Sequence, residues 1–495
     1  MKNVFFSIIC FLFAVMSASA LTVNVERAGT LAGQISGPAS VSELVVTGEI
    51  SAPDIEFIAN EMPALRSLDL SRAEIVRYVD TDAVYPANRI PQSAFAGSQI
   101  QAVAFPATAG LVIGDAAFAG SALKSVSVPA SIAEVGTGAF AGCTILESVT
   151  LNEYTIFGSH AFSGCTAMTD VNTAGATKIS DAMFSNCPAL SDIEPGEFAK
   201  VKYIGESAFA GDLALTSVAF GRVLQNIGSE AFACTGLKSA DLSGCAPLLE
   251  VGDRAFAGCR RLESVTYPAG LREIGTGAFI GCVSLTAASV PETVRTIPDY
   301  SYTSVSGVEI ADVLHAQVDT IGAYAFKGHD KVVSVSLPST LEYIGDHAME
   351  GMTGLQTVDA EALGSVPELG EDVWYGVDQP KVELLTAIDL IDAFGSAPQW
   401  QDFYIDRTAD TEDIGIDGSE GGVQARFVGY ELQIRGLNAV IASVALYDTA
   451  GHTLYRGDVG SEAVSVDTSA WPVRIYLVSA VLADGTKASI KIARN

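Results

Sequence analysis

Residues 123–143 read LKSVSVPASIAEVGTGAFAGC, and residues 262–282 read LESVTYPAGLREIGTGAFIGC. The most regular feature that the two stretches share is an Ala-Phe step. Its aromatic position, filled once by Met, recurs thirteen times at intervals of 22–25 residues, at Phe95, Phe118, Phe140, Phe162, Phe184, Phe209, Phe232, Phe256, Phe279, Tyr302, Phe326, Met349 and Trp374. This period predicts a solenoid, because a unit so small cannot bury its apolar face and must stack on its neighbours.

Each unit also predicts its own local structure. Alternating Leu and Val residues indicate a short strand with apolar side chains turned inward, and residues such as Pro129 and Pro268 end that strand because proline cannot donate to a continuing ladder. The Gly after Ile or Val, as at Gly136, is predicted to take the turn. We expect the Ala-Phe step to form a short helical or 3₁₀ turn whose ring fills the core. The predicted fold is therefore mainly β.

Residues 1–20 are predicted to be a secretory signal peptide. Lys2 is their only charge, an apolar run follows over 4–16, and 17–20 are small residues that suit cleavage. The apolar run is too short to span a bilayer. Cys10 lacks the surrounding residues of a lipoprotein cleavage site. No later stretch has the length of an apolar transmembrane helix, so the sequence predicts an exported chain with no transmembrane segment.

The charge of the chain argues against nucleic-acid partners. It carries 28 basic and 58 acidic residues, a net charge of −30. Such a field repels nucleic acid and anionic lipid. An acidic surface also keeps an exported protein dispersed, and this is the simpler explanation of the charge.

Seven cysteines follow residue 20, and an odd number cannot all pair. Five of them stand three residues after the repeat aromatic: Cys143, Cys165, Cys187, Cys259 and Cys282. Ser98, Ser121 and His329 occupy the same place in other units. The pattern favours one buried turn site for small side chains. The alternative is a metal site or disulfide among Cys143, Cys165 and Cys187, although no short CxxC step occurs.

The repeat pattern resembles a known family. Residues 65–71, LRSLDLS, have leucine-rich repeat spacing, and residues 21–85 are predicted to be an N-terminal cap that includes this first repeat. The recurring pattern I-G-x-x-A-F-x-G-C-x-x-L-x-x-V-x-x-P is similar to the BspA-type leucine-rich repeats of bacterial surface proteins. This resemblance implies a leucine-rich-repeat solenoid of about 13 repeats over 86–400. It also implies adhesion to host proteins or to other cells. Tyr302, Met349, Trp374 and Pro298 depart from the pattern, so we expect less regular coils there.

The C-terminal part of the chain breaks the period. Residues 401–425 are predicted to be an acidic, Gly-rich linker, in which 413–418 offer a weak calcium-loop alternative. Residues 426–495 contain alternating strand runs that predict a small β-sandwich. The succession of VALYDTAG at 444–451, IYLV at 475–478 and KI at 491–492 resembles the C-terminal sorting domain of type IX-secreted Bacteroidetes proteins. Arg474 stands where that family usually has Gly, and a plain terminal β-sandwich is the alternative.

No catalytic motif is present, so an enzyme is not predicted. The five histidines lack metal-ligand spacing, and there is neither a G-x-S-x-G elbow nor a phosphate-binding loop. The Gly-Thr-Gly runs at 136–138 and 275–277 recur at one phase of the repeat and are predicted to be turn glycines. A carboxylate pair for glycoside hydrolysis is conceivable among 58 acids, but nothing singles one out. We expect no cofactor.

The outward strand positions form a candidate binding face. They are small and rich in hydroxyls: Ser125, Ser127, Ser148, Thr150, Asp170, Asn172, Asp192, Glu194, Ser217, Ala219, Ser239, Asp241, Ser264, Thr266, Ala287, Ser289, Ser334, Ser336, Thr357 and Asp359. Exposed sheets commonly carry Ser and Thr, so this face is either an ordinary solvated surface or a broad contact surface that acts through avidity. Four of its oxygen-bearing residues on adjacent coils are a weak calcium candidate: Asp170, Asn172, Asp192 and Glu194. A solvated acidic patch is the simpler alternative.

The sequence thus predicts a cell-surface or secreted protein that binds an extracellular protein or other cell-surface macromolecule without catalysis. A glycan-binding accessory protein is the alternative, and an enzyme with an unrecognised site is the third. Sugars stack on exposed aromatic rings, and the candidates for such a platform are Trp374, Tyr375, Trp400 and Tyr404.

Overall fold

The computed structural model describes residues 20–405 and 423–493, except 82, 174, 192, 194–195, 306, 429–430, 438, 449–451, 469–470 and 472–474. The chain divides into two compact units, Met1–Tyr404 and Ile405–Asn495. The predicted signal peptide lies outside the described residues apart from Ala20, and so does the predicted linker from 406 to 422. Within the described ranges, no helix is both long and apolar enough to cross a membrane.

The first unit consists mostly of short strands. In chain order they are β1 (Leu21–Val25), β2 (Glu43–Ile50), β3 (Ser67–Ile75), β4 (Tyr78–Val79), β5 (Val84–Tyr85), β6 (Arg89–Ile90), β7 (Ala102–Ala104), β8 (Leu111–Ile113), β9 (Ser125–Ser127), β10 (Ile132–Val135), β11 (Ser148–Thr150), β12 (Ile156–Phe157), β13 (Asp170–Asn172), β14 (Lys178–Ile179), β15 (Tyr203–Ile204), β16 (Asn226–Ile227), β17 (Ser239–Asp241), β18 (Glu250–Val251), β19 (Ser264–Thr266), β20 (Glu273–Ile274), β21 (Thr296–Ile297), β22 (Thr320–Ile321), β23 (Ser334–Ser336), β24 (Tyr343–Ile344), β25 (Thr357–Ala360), β26 (Glu368–Leu369) and β27 (Glu383–Thr386).

Helices are few. The α-helices are α1 (Ala52–Glu61), α2 (Ile310–Val313) and α3 (Ile391–Phe394), and 3₁₀ helices cover Leu31–Gln34, Pro38–Ser40, Gln379–Lys381, Ile388–Leu390 and Trp400–Asp402. Helix α1 begins with a capping box between Ser51 and Asp54, in which each side chain accepts a backbone N–H of the first turn. It lies in the N-terminal cap, beside the three longest strands of the first unit.

Two parallel ladders run along the solenoid. One contains β1-β2-β3-β7, β9-β11-β13, β17-β19 and β23-β25-β27, and the other contains β6-β8-β10-β12, β14-β15-β16-β18-β20 and β21-β22-β24-β26. Register is kept from coil to coil, so that Val126 pairs with Val149 and Val149 with Val171. In these three strands the middle residue is buried and its neighbours face outward. The predicted mainly β solenoid and its inward Val positions are confirmed.

The Ala-Phe segment is a run of turns rather than a helix. The N–H of Ala119 donates to the C=O of Ala116 at 3.0 Å, as in a 3₁₀ turn. The intervening Phe118 N–H donates instead to Ala139 of the next coil at 2.8 Å, and Gly120 N–H to Ala141 at 2.7 Å. Because alternate N–H groups point to the next coil, no continuous helix can form, and the turns themselves tie neighbouring coils together.

The repeat aromatics form one buried column, as predicted. From Phe95 to Phe326 each ring stacks on the next with centroids 5.1–5.9 Å apart. Met349 and Trp374 continue the buried positions. Offset-stacked rings at this separation are favourable pairs. The column is therefore the core of the repeat region, and Tyr302 does not interrupt it.

The Gly after Ile or Val serves close packing, not the turn that the sequence predicted. A Cβ added to Gly275 would lie 2.3 Å from the backbone nitrogen of Asp253, and one added to Gly345 would lie 2.5 Å from that of Ala323. Neither glycine has a positive φ. Left-handed backbone falls instead on the residue two before the repeat aromatic, which we call the outer turn position, and on the residue two after it, as at Gly142.

The coil of Tyr302, where less regular structure was predicted, has the short helix α2 at the place where the following coil has β23. The preceding coil contributes only an isolated bridge there, at Ala287. Ile310 and Val313 of α2 are buried. The C-terminal coils therefore keep their ring column while their strand ladder is interrupted.

The second unit contains seven antiparallel strands: β28 (Val423–Val428), β29 (Glu431–Gly436), β30 (Ile441–Tyr447), β31 (Thr453–Ser461), β32 (Ala463–Asp467), β33 (Ile475–Leu482) and β34 (Lys487–Ala493). They form the sheets β28-β29-β32 and β31-β30-β33-β34. Both sheets contribute to one apolar core, which includes Leu432, Val466, Leu446 and Val478. The alternating runs at 431–435, 443–448, 463–467, 475–481 and 488–492 predict strands that coincide with β29, β30, β32, β33 and β34, while β28 and β31 were missed. The sequence also predicts hairpin turns at 449–451, which lies outside the described residues, and at 483–485, where Gly485 takes a positive φ of 87°.

Candidate binding surfaces of the solenoid

Two of the four predicted platform rings are buried. Trp374 is 2% exposed and Trp400 is 1% exposed. Their rings meet edge to face at 5.6 Å, and Phe394 and Phe403 pack against Trp400. Trp400 also donates its indole N–H to the carbonyl of Pro367 at 3.1 Å. These rings close the C-terminal end of the solenoid core, so neither tryptophan offers a surface to a sugar.

The other two predicted rings face solvent. Tyr375 is 62% exposed and Tyr404 is 53% exposed. Tyr404 also extends the strand ladder through a bridge to Glu383, so residues 401–404, predicted as linker, belong to the solenoid unit. These two tyrosines remain candidate binding residues.

Tyr375 belongs to a second column of rings, which is partly exposed. We call Tyr300, Tyr324, His347 and Tyr375 the outer column. Tyr300 and Tyr324 stack with centroids 4.8 Å apart and an interplanar angle of 6°, and Tyr324 and His347 follow at 4.9 Å and 14°. Tyr375 meets the His347 ring at 6.2 Å and 69°. Four consecutive coils thus present rings on one line of the surface.

The outer column follows from the repeat geometry. Tyr300, Tyr324 and His347 all occupy the outer turn position and have φ values of 54–58°. Their neighbours along the column are one coil apart, and the ring spacing matches the roughly 4.8 Å separation of paired strands. A left-handed conformation is unfavourable for bulky residues. Two other coils have Gly138 and Gly277 at this position, which bear no such cost, while the remaining coils also have non-glycine residues there, such as His160 and Arg254.

Charged groups flank the outer column. The ammonium of Lys327 lies 5.1 Å from the centroid of the Tyr324 ring and 3.0 Å from Oε2 of Glu350. The same oxygen lies 3.1 Å from Nδ1 of His347, without the alignment of a hydrogen bond. One cation is therefore held between an aromatic ring and a carboxylate on this surface.

The predicted strand face is outward, as its alternation indicated. Ser125, Ser127, Ser239 and Asp241 are exposed while the residue between each pair is buried. Hydroxyl contacts cross between coils, for example from Thr266 to Oδ1 of Asp241 at 2.6 Å. The face is flat and lacks large anchoring side chains at these positions.

The calcium candidate is only partly described. Asp170 and Asn172 lie at the two ends of β13, with Asp170 exposed and Asn172 half-buried. Asp192 and Glu194 lie outside the described residues. Among the residues that the structure does describe, no group of three or more His, Cys, Asp and Glu side chains could hold a metal. The four-residue site stays a prediction.

The repeat cysteines are buried hydrogen-bond donors. All seven thiols are free. Five donate to the carbonyl of the repeat aromatic one coil earlier, at 3.0–3.3 Å: Cys143 to Phe118, Cys165 to Phe140, Cys187 to Phe162, Cys259 to Phe232 and Cys282 to Phe256. Burial raises the pKa of the Cys259 thiol to about 11, which keeps the donor proton. The buried turn site is confirmed, and the alternative of a disulfide is not realised.

His329 and Asp212 occupy this same position in other coils. Nε2 of His329 lies 3.0 Å from the carbonyl oxygen of Tyr302, in place of a thiol. Asp212 accepts the backbone N–H of Cys187 at 2.8 Å, and its second carboxyl oxygen is buried without a partner among the described residues. Burial raises the pKa of Asp212 to about 10. Both side chains are fully buried in the interior of the solenoid.

Sequence reasoning missed three members of the outer column. Tyr300, Tyr324 and His347 stand at equal distances before successive repeat aromatics, and this spacing was available in the sequence. The predicted platform rings were Trp374, Tyr375, Trp400 and Tyr404, although Trp374 occupies the buried repeat position. The signal that identifies the three missed residues is their shared position in the repeat, and not their residue type.

Comparisons with known proteins agree with the repeat architecture. Residues 88–197, 177–309 and 310–391 match the model of the family described as "BspA type Leucine rich repeat region (6 copies)", so matches extend over more than half of the chain. No curated protein matches the chain in sequence.

Several solved structures are similar. A leucine-rich repeat protein from Bacteroides ovatus is 24% identical, with 62% of this chain and 84% of that chain covered and a TM-score of 0.48. A leucine rich cell surface protein from Faecalibacterium prausnitzii is 19% identical, with 57% and 85% covered and a TM-score of 0.31. The pneumococcal vaccine antigen PcpA is 17% identical, with 70% and 73% covered and a TM-score of 0.32.

Proposed function

This chain belongs to the BspA-type leucine-rich repeat family, and on that premise we propose that it is an exported, non-catalytic binding module for macromolecules outside the cell. The outer column is the observation that carries this proposal. Stacked, partly exposed rings are unusual on a solvated surface, and aromatic side chains dominate the energetics of protein interfaces. Three of its rings, Tyr300, Tyr324 and His347, also occupy left-handed backbone positions, where bulky residues are disfavoured.

The hydroxyl-rich strand face would add a second, weaker contact. It is continuous over many coils and bears no bulky anchor, so single contacts there would be weak. Many copies on one cell could nevertheless bind firmly through avidity. We propose that the outer column selects the partner, while the strand face enlarges the contact area.

Export and surface attachment are supported by the two ends of the chain. Residues 1–20 have the composition of a signal peptide. The second unit, with its seven antiparallel strands, would act as a sorting or attachment domain of the type IX kind. We therefore place the protein at the cell surface, at the outer membrane, or outside the cell. Protease treatment of sealed cells tests this placement, and a chain left intact until the cells are opened would contradict it.

Binding is tested with the whole mature protein. Immobilised extracellular matrix proteins and intact cells would be exposed to the wild type and to a variant with Tyr300→Ala and Tyr375→Ala. We expect the wild type to bind and the variant to lose at least about 10-fold in affinity, because a pair of interface tyrosines contributes a few kcal/mol. Tyr154→Ala is the matched control, since Tyr154 is 68% exposed and lies on a distant coil.

Absence of wild-type binding to every cell and matrix protein would contradict the proposed function. Equal losses in the double variant and in the Tyr154→Ala control would show that the outer column is not the contact surface.

A glycan-binding accessory protein is the second candidate, because Tyr375 and Tyr404 are both exposed near the end of the solenoid. A glycan array separates the two candidates. Binding of soluble glycans that requires Tyr375 or Tyr404, with no binding to matrix proteins or cells, would favour this alternative.

A further inference from the structure

We infer that the outer column binds the cationic side chains of a basic polypeptide segment, with arginine preferred. This inference rests on the proposed function and names the chemistry of the partner. It follows from the way the rings stack, from the lysine already held against one of them, and from the charge of the coils around them.

The stacking geometry limits what the rings can contact. Centroids 4.8 and 4.9 Å apart between nearly parallel rings describe an offset stack, in which part of each face stays uncovered. A sugar ring needs a broad open face, and stacking covers part of the Tyr324 ring on both sides. A guanidinium or ammonium group needs less area and is attracted to the uncovered part of a ring.

Lys327 shows how a cation sits on this surface. Its ammonium lies 5.1 Å from the Tyr324 centroid and 3.0 Å from Oε2 of Glu350. The ring and the carboxylate therefore both contact the same cation. On the last coil Asp372 takes the outer turn position, and the N–H of Tyr375 donates to the carbonyl oxygen of Asp372 at 3.0 Å, so a carboxylate and a ring lie within one turn of each other. Both are exposed. Among the described residues no cation forms an ion pair with Asp372.

The sequence around the last rings of the outer column contains acidic residues but no Lys or Arg. Between Lys331 and Lys381 there is neither Lys nor Arg, while nine acidic residues occur: Glu342, Asp346, Glu350, Asp359, Glu361, Glu368, Glu371, Asp372 and Asp378. Two of the four outer-column rings, His347 and Tyr375, lie within this interval. An acidic field of this kind attracts a basic segment and orients it. Arginine is favoured over lysine because its planar group both stacks on rings and pairs with carboxylates.

The spacing suits an extended chain. Successive side chains on one face of an extended strand are about 6–7 Å apart, whereas the rings recur at 4.8–6.2 Å. Long arginine side chains adjust to this difference. A segment in which Arg alternates with small residues would therefore place its guanidinium groups along the column.

The test uses the mature full-length protein and labelled peptides in which Arg, Lys or Glu alternates with Gly. Affinity is measured by fluorescence anisotropy at about 150 mM salt, which screens contacts between distant surface charges. We expect the Arg peptide to bind more tightly than the Lys peptide, and the Glu peptide not to bind. The variant with Tyr300→Ala and Tyr375→Ala should bind the Arg peptide about 10-fold more weakly.

Two control variants separate ring chemistry from general attraction to an acidic protein. Tyr375→Phe keeps the ring and should stay within about 2-fold of the wild type. Tyr154→Ala removes an equally exposed tyrosine elsewhere and should have no effect. If the double variant binds the Arg peptide as tightly as the wild type does, attraction is purely a matter of net charge and the inference is wrong.

Failure of this inference is distinguishable from failure of the proposed function. A wild type that binds cells or matrix proteins through the outer column, yet does not bind the Arg peptide, would overturn the cationic-segment inference alone. Binding of glycans through the same rings, without peptide binding, would overturn it in favour of a carbohydrate ligand.

Discussion

The coils from Phe95 to Phe279 and those from Tyr302 to Trp374 share one interior and differ on the outside. In both, the repeat side chain is fully or almost fully buried. At the outer turn position the earlier coils carry unlike residues that form no stack: Ser93, Ala116, Gly138, His160, Ala182, Ser207, Glu230, Arg254 and Gly277. The later coils carry Tyr300, Tyr324 and His347 in a stack, followed by Asp372. The comparison indicates that folding fixes the inner positions in both groups, while the outer turn position varies.

The largest expected effect tests whether the two groups of coils are equally dependent on the inner column. Phe256→Ala and Phe326→Ala should each lower the free energy of unfolding by about 3–5 kcal/mol, since each removes a fully buried ring. Denaturant titration measures both. Tyr154→Ala should cost less than about 0.5 kcal/mol because its side chain is exposed. Tolerance of either Phe replacement would mean that its coils do not depend on the column.

The two groups of coils should respond to pH in opposite ways, because the position three residues after the repeat aromatic is Asp212 in one earlier coil and His329 in one later coil. Burial raises the pKa of Asp212 to about 10, whereas the unfolded chain releases this proton near about 3.9. Its contribution to stability is therefore full below the unfolded value and is lost as pH rises toward the folded one. Burial lowers the pKa of His329, so its contribution is present above the usual histidine value and is lost as pH falls.

The Asp212→Asn variant measures the first of these responses. An amide keeps the acceptor for the N–H of Cys187 but cannot ionise. We expect the stability of the variant relative to wild type to rise by about 2–3 kcal/mol between about pH 5 and pH 7, at up to about 1.4 kcal/mol per pH unit. His329→Gln should show a change of opposite sign below about pH 6.5. A difference between Asp212→Asn and wild type that does not change with pH would contradict a protonated Asp212.

Close packing between coils should be equally strict in both groups. Gly275→Ala and Gly345→Ala would each place a Cβ within 2.3–2.5 Å of a backbone nitrogen, and we expect thermal unfolding to show a loss of about 1–3 kcal/mol. Gly244→Ala is the control, because a Cβ there would meet nothing closer than 3.9 Å. Equal stability of Gly275→Ala and Gly244→Ala would show that the coils can move apart.

The smallest expected effect isolates the outer column. Tyr300→Gly removes a stacked ring, which costs about 0.5–1.5 kcal/mol, but it also relieves an unfavourable left-handed residue by about 1–2 kcal/mol. The lost stacking energy and the relieved backbone strain nearly cancel, so we expect the free energy of unfolding to change by less than about 1 kcal/mol. A loss as large as that of Phe326→Ala would mean that the outer column is structural.

Much of the interior was predictable from the sequence, because a fixed period and a fixed polarity at each place define which side chains point inward. Phe118, Val126 and Cys143 are examples. The turn at Gly136 was explained wrongly, since sequence shows that Gly is required but not whether backbone angle or close approach requires it. The binding surface was harder to predict. Trp400 was predicted to be exposed because it lies beyond the last repeat, where the period gives no guide to burial. Tyr300 was not singled out, because its stacking on Tyr324 depends on the register between coils.

The bonds between turn segments also have a mechanical consequence. Each coil of 22–25 residues is joined to the next by side-by-side backbone bonds such as those from Phe118 to Ala139 and from Gly120 to Ala141. Tension applied between the two ends of the solenoid unit loads the coils in series, so the terminal coils would peel away first and one at a time. Each released coil would lengthen the tether by roughly 70–80 Å, from the reach of an extended chain. A solenoid built in this way yields under tension in small steps and keeps its remaining coils folded.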